Sequence, residues 1–300
     1  MSKTAKIWLI AAISLLLIGC VIFGGVIMAI NWDFSKLSTE KYETNNYEIN
    51  ETYSNISIIT NTADIKFEAA PDGKSKVVCF EDKNEKHSVE VADGTLSIKI
   101  VSTKKWYEHI GFDFKSPKIT VYLPEKEYGN LFVMGSTGKI QIPEKFVFKS
   151  IDIKMSTGMV ENYASAVNDI KIKTSTGGIS SQNVNAQSIS INVSTGDVNL
   201  KNINCKNFIS EGDTGSITLK NVIVTEKICI ERSTGNIKFE ESDAKDILAE
   251  TDTGSVKGSL LSEKVFIVRS DTGKIDVPKT VNGGKCEITT DTGDIKIVIK

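Results

Sequence analysis

Four Asp-Thr-Gly tripeptides, at Asp213, Asp252, Asp271 and Asp291, are the residues of this 300-residue chain that most directly suggest chemistry. In aspartic proteases this tripeptide carries the reacting carboxylate, and the mechanism needs two such groups facing each other and sharing a proton. Here the Asp exchanges with Ser136, Ser156, Ser175, Ser194 and Ser233 ahead of the same Thr-Gly. A catalytic carboxylate does not survive that exchange, whereas an oxygen that pins a turn through a backbone hydrogen bond does. The motif is therefore read as a turn. Stacked carboxylates, with Asp252 and Asp271 expected in adjacent coils, raise Ca²⁺ as a rival reading, because Ca²⁺ takes several oxygen ligands. The Gly- and Asp-rich Ca²⁺-binding nonapeptide is absent, so a solvated face neutralised by Lys274 and Lys296 is the preferred account.

Other reactive side chains are sparse. The sequence holds two histidines, His87 and His109, and in the regular part only Arg232 and Arg269. A glycan-cleaving site needs acids and bases clustered on one face, and no such cluster is legible, so no enzyme and no cofactor is expected. Cys205 and Cys286 fall at apolar core positions, Cys229 between two inward isoleucines, Cys79 far from all three, and no metal spacing of the Cys-x-x-Cys kind occurs. Trp106, Tyr107, Phe112 and Phe114 interrupt the pattern as an aromatic insertion with two open readings: an interaction surface, or rings folded over the end of the domain. With 36 basic and 38 acidic residues the formal charge is −2, which gives no basic excess for nucleic acid.

The elements that must position these residues follow from a period. Thr-Gly recurs with its glycine at Gly138, Gly158, Gly177, Gly196, Gly215, Gly235, Gly254, Gly273 and Gly293, at spacings of 19 or 20. A fixed period of this size signals a solenoid whose units bury their apolar faces against one another. Apolar residues alternate on both sides of the glycine, as in Ile189, Ile191 and Val193 before Gly196 and Val198 and Leu200 after it; period two means strand. The glycine sits at a bend, and a second corner is expected near Lys201-Asn202 and Lys220-Asn221. The fold class is all-β: a single-domain β-solenoid after one N-terminal transmembrane helix. Coils about 4.8 Å apart make a rod of roughly 40 Å, with right-handed winding as the expectation. Asn61-Thr62-Ala63-Asp64 resembles the turn unit with Ala for Gly, at a distance from Gly138 close to four coils.

From Ile7 to Ile30 there are 24 uncharged residues, enough to span a bilayer of about 20 helical residues. Lys3 and Lys6 precede this run and Asp33 follows it, which places the N-terminus in the cytoplasm and the rest outside. Leu17-Ile18-Gly19-Cys20 leaves a lipidated Cys20 as the rival reading. The expected organisation is a cytoplasmic tail over 1–6, a transmembrane helix over 7–30, a stalk over 31–46, irregular capping coils over 47–135 and regular repeats over 136–300. The last segment, Ile295 to Lys300, reads as an uncapped strand open to self-association through the C-terminal coil.

The alternating runs closed by Ser-Thr-Gly or Asp-Thr-Gly, preceded by Ile119-Thr120-Val121-Tyr122-Leu123-Pro124, resemble a bacterial family of unknown function known as putative adhesin or LiaG-like, built of β-strand repeats. The resemblance covers about residues 50–300. It implies a β-solenoid at the surface of a bacterial membrane, sometimes linked to cell-envelope stress, and it carries no catalytic residues across. The expected function is a non-enzymatic, membrane-anchored binder of an envelope polymer or membrane protein, in envelope stress or adhesion. A self-assembling structural element and a glycan-active β-helix enzyme are the alternatives.

Overall fold

The computed structural model describes residues 2–33, 41–104 and 115–300. The first element, α1 (Lys3–Ala29), is capped by Ser2, whose Oγ accepts the Ala5 N–H at 3.2 Å. It is long and apolar enough to cross a membrane. Short strands follow: β1 (Tyr42–Ile49), β2 (Asn55–Ile59), β3 (Asp64–Ala69), β4 (Ser75–Asp82), β5 (Glu85–Ala92), β6 (Thr95–Ser102), β7 (Lys118–Leu123), β8 (Glu127–Thr137), β9 (Ile140–Ile142), β10 (Val147–Thr157), β11 (Val160–Asn162), β12 (Ser165–Ala166) and β13 (Asp169–Thr176). Then come the long strands β14 (Ile179–Thr195), β15 (Val198–Thr214), β16 (Ile217–Thr234) and β17 (Ile237–Thr253). The chain ends with β18 (Val256–Leu260), β19 (Lys264–Thr272), β20 (Ile275–Asp276), β21 (Gly284–Thr292) and β22 (Ile295–Ile299).

The period does what the sequence requires of it. β14 to β17 stack in parallel, each residue over its equivalent one coil on. The alternating residues thereby form continuous interior columns. One runs Ile151, Ile170, Ile189, Phe208, Ile228 and Ile247, all buried. Another runs Val160, Ile179, Val198, Ile217, Ile237 and Val256. Each such side chain contributes about 1.5–3 kcal/mol on burial, and because it packs mainly against its own column, that gain depends on register.

At the Thr-Gly corner the backbone leaves no room for a side chain. A Cβ on Gly158 would lie 1.8 Å from the Gly138 carbonyl oxygen, and one on Gly196 would lie 2.0 Å from that of Gly177. Gly196 also sits at φ 147°, a conformation L residues rarely adopt. Its N–H donates to the Thr214 carbonyl of the next coil at 2.8 Å. The oxygen that pins this corner is not the one expected. The Ser or Asp two residues before the glycine is exposed at Ser136, Asp213, Asp252 and Asp291. It is the residue after the glycine that bonds across coils: Asp197 Oδ1 accepts the Ser216 N–H at 2.8 Å, and Asn236 Oδ1 accepts the Ser255 N–H at 2.9 Å. The second corner lies where Asn-rich segments placed it. Asn183, Asn202 and Asn221 take positive φ at 57°, 53° and 52°, and their amides bond in a ladder, Asn221 Nδ2 to Asn202 Oδ1 at 3.0 Å and Asn202 Nδ2 to Asn183 Oδ1 at 2.9 Å.

Both ends depart from chain order. β2 and β3 stack directly on β8 and β9, with Ile58 opposite Val133 and Ile65 opposite Ile140. The 75 residues from Ala63 to Gly138 are therefore not a run of four coils between them, since a Cβ on Gly138 would lie 2.1 Å from the Ala63 carbonyl oxygen. The intervening chain goes to the far side, where β6 and β7 pair in parallel with β2 and β3. There β4 covers β7 and β5 covers β6, both antiparallel, and β1 covers β4. β1 begins at Tyr42, inside the segment expected as stalk, because the Tyr42 ring stacks on Phe80 at 4.9 Å.

The C-terminal strand is likewise not an edge. β17 and β18 pair with β21 and β22, and β21 in turn pairs with β19. The last coil is thus inserted beneath the preceding one, and the exposed rim of the solenoid belongs to β19 and β20. Two glycines outside the turn position permit the insertion: a Cβ on Gly284 would lie 1.6 Å from the Lys245 carbonyl oxygen, and one on Gly283 would lie 1.8 Å from that of Glu263.

Substituting Gly196→Ala combines a disfavoured φ with a steric clash, each worth about 1–3 kcal/mol. The variant is expected to lose about 2–4 kcal/mol in urea unfolding followed by far-ultraviolet circular dichroism. A loss below about 1 kcal/mol would contradict the close-approach account.

Candidate functional site

The predicted turn glycines, Gly138 to Gly293, form one row along the solenoid, each packed against the corner of a neighbouring coil. The order of that row corrects the expected ladder: Asp252 neighbours Asp291, and Asp271 lies beyond it, because Thr253 pairs with Thr292 and Thr292 with Thr272. Asp271 is held by Arg269 at 3.0 Å. Trp106, Tyr107, Phe112, Phe114 and His109 lie outside the described residues. Cys205 and Cys286 are buried, and burial pushes both thiols up to about 12, while Cys229 is half-buried with Sγ toward Glu231.

One face of the regular coils is acidic. Glu211, Glu231 and Glu250 stack in register beside Asp213 and Asp252, around a surface groove of about 430 Å³. The groove floor holds Arg232, which is buried at an interior position occupied by Val193 and Thr251 in other coils. Its guanidinium fits because the coil before it carries Gly212, where a Cβ would lie 2.7 Å from Nη1. Arg232 Nη2 donates to Ser210 Oγ at 2.7 Å and Nη1 to the Glu231 carbonyl at 3.0 Å. Burial lowers its pKa to about 10.

A second polar group lies in the N-terminal cap, and nothing in the spacing of the sequence announced it. Cys79 and Glu81 alternate inward along β4, and His87 points inward from β5 across a tight turn at Lys83-Asn84. His87 Nδ1 and its backbone N–H both meet Glu81 Oε2 at 2.7 Å. Asn45 Nδ2 donates to Glu81 Oε1 at 2.7 Å, and His87 Nε2 meets Thr60 Oγ1 at 2.9 Å. The line from carboxylate through imidazole to hydroxyl has the connectivity of a nucleophile relay. Thr60 is only 4% exposed, however, and the adjoining cavity of about 300 Å³ is lined by His87, Asp82, Tyr42 and Lys104 rather than by Thr60. The buried line ties β1, β4, β5 and the end of β2 together. Burial and the Glu81 charge push the Cys79 thiol up to about 12. Asp252→Ser is expected to change stability by less than about 0.5 kcal/mol, as an exposed position. Glu81→Leu is expected to cost about 2–4 kcal/mol, since it strands the donors of His87 and Asn45. Urea unfolding of the two variants side by side checks both.

The Toastrack DUF4097 family matches residues 53–206 and 185–300. No curated protein matches the sequence. Among solved structures, a putative lipid binding protein from Parabacteroides distasonis ATCC 8503 is 18% identical with a TM-score of 0.53, over 87% of this chain and 98% of its own. A putative adhesin from Bacteroides fragilis NCTC 9343 is 18% identical with a TM-score of 0.48, over 87% of this chain and 99% of its own. A putative adhesin from Parabacteroides merdae ATCC 43184 is 12% identical with a TM-score of 0.42, over 87% and 98%. At these identities likeness speaks for the fold alone, and the first of the three supports the solenoid. The family match spans the coils, the N-terminal cap from β2 onward, the inserted last coil and the row of turn glycines, and the chain belongs to the Toastrack DUF4097 family.

Proposed function

We propose that the chain is a non-enzymatic, single-pass membrane protein whose solenoid stands outside the cell membrane and binds an envelope polymer, a lipid surface or a membrane protein. Its role is in envelope stress or adhesion. The observation that carries this reading is the pairing of an apolar helix with a solenoid whose chemically distinct side chains are buried. What the described coils offer to solvent is repetition: rows of Thr, Asn and carboxylates, one per coil at about 4.8 Å. Such a surface suits many weak contacts with an extended partner. Lys3 and Lys6, in the first turns of the helix and ahead of its uncharged run, support a cytoplasmic N-terminus.

A second reading, self-association, is favoured by the rim. Val265, Ile267 and Ile275 on β19 and β20 are 39%, 50% and 44% exposed, beside a strand edge with no partner among the described residues. This moves the assembly surface from the C-terminal strand to the coil before it.

Protease added to intact cells is expected to remove a C-terminal epitope tag and spare an N-terminal one; the reverse pattern overturns the orientation. Full-length protein in detergent is expected to retain peptidoglycan, teichoic acid, lipid vesicles or a membrane protein from envelope fractions. Retention of none of these overturns the binding reading, and a species that sediments as a monomer at high concentration removes self-association.

A further inference from the structure

We propose that Cys79, Glu81 and His87 form a metal site in the N-terminal cap, with Zn²⁺ as the ion its ligand chemistry selects. Their ligand atoms all lie within 4.8 Å of one another, and among the described residues this is the one such group of three. The side chains are 0%, 0% and 3% exposed, so the group is part of the cap interior and not a chance gathering of surface acids. Sulfur, nitrogen and carboxylate oxygen from one residue each make a borderline-soft set that suits Zn²⁺ far better than Ca²⁺ or Mg²⁺.

Charge supports the same ion. A divalent cation bound to the Cys79 thiolate, the Glu81 carboxylate and a neutral imidazole makes a site of zero net charge, which a buried setting requires. Without an ion the thiol keeps its proton in this apolar, anion-flanked position; a bound dication reverses that preference. On binding, the Cys79 proton leaves for solvent, and His87 binds as the neutral tautomer with its N–H at Nε2. Thr60 Oγ1, 2.9 Å from Nε2, is placed to accept it, so the imidazole presents Nδ1 to the ion. Glu81 remains oriented by Asn45 Nδ2 at 2.7 Å and by the His87 backbone N–H at 2.7 Å. These are the outer-shell contacts that metal ligands in proteins typically have. Of the three ligands, His87 also lines the cavity of about 300 Å³, and water is the fourth ligand of the proposed site.

The ligands come from two strands of the antiparallel cap, and Thr60 from the first coil of the solenoid. An ion there would bolt the cap to the coil it covers.

The test uses full-length protein in detergent carrying Cys229→Ala, which removes the half-buried thiol of the regular coils. One equivalent of Co²⁺ is expected to give a sulfur-to-cobalt charge-transfer band and visible bands of tetrahedral intensity. Adding Cys79→Ser should abolish the charge-transfer band, and His87→Gln should weaken binding at least tenfold. One equivalent of Zn²⁺ should bleach the cobalt spectrum and raise the Tm of the parent but not of the Cys79→Ser protein. Circular dichroism keeps misfolding apart from ligand loss. A parent that takes up less than a tenth of an equivalent of either metal overturns the proposal, and so does a charge-transfer band that survives Cys79→Ser.

Discussion

The structure depends on one approach distance. At each Thr-Gly corner a glycine passes so close to the corner of the preceding coil that a Cβ would fall about 2 Å from a carbonyl oxygen, and this repeats from Gly138 to Gly273. Only there can the Gly N–H reach the Thr carbonyl of the next coil while the interior columns stay aligned. The period of 19 or 20 follows, because one glycine must lie over the last. Slack is allowed only away from this corner. The 20 residues from Gly215 to Gly235 accommodate their extra residue as a bulge between Val224 and Lys227.

The same contact explains both ends. Ala63 can begin the row because the chain beyond it passes at Pro117, whose carbonyl accepts the Asp64 N–H at 2.9 Å. At the other end the glycine row needs no sequential order, since Gly293 meets the Gly254 carbonyl as readily as Gly273 meets that of Gly293. The inserted last coil buries Cys286, Ile288, Ile295 and Ile297, whereas the coil before it is left with Ile267 and Ile275 exposed. Without antiparallel cover of the kind β4 and β5 supply at the N-terminal end, that coil bears the edge.

The regular coils were legible in the sequence because each residue's neighbours are its own equivalents one period away. The Thr-Gly spacing, the alternating isoleucines and the Asn corner could all be read without knowing any contact. What could not be read were contacts between unequal partners. The spacing of Gly273 and Gly293 is the same whether the last coil lies outside or inside, and only Gly283-Gly284, glycines off the turn position, hinted at the insertion. The Ser or Asp before the Thr draws the pinning role in the sequence because its side chain can hydrogen-bond local backbone. The working residue, after the glycine, is Asp197, Ser216, Asn236, Ser255 or Asp294, each accepting a backbone N–H of a neighbouring coil, while Lys139, Met159, Gly178 and Lys274 hold that place in the other coils. Cys79, Glu81 and His87 were invisible for another reason: an antiparallel hairpin joins positions with no periodic relation.

This difference bears on where distinct chemistry can reside in such a fold. A side chain in a regular coil has like neighbours above and below at about 4.8 Å, so an unlike group needs a gap made for it. Arg232 enters the interior only over Gly212, and even then it spends donors on the Ser210 hydroxyl and the Glu231 carbonyl. The cap is free of that rule. Its strands meet in antiparallel pairs, and sulfur, carboxylate, imidazole and hydroxyl from four positions converge there without displacing a column. Repetition builds a surface of like rows, and the break in repetition is where unlike side chains can meet.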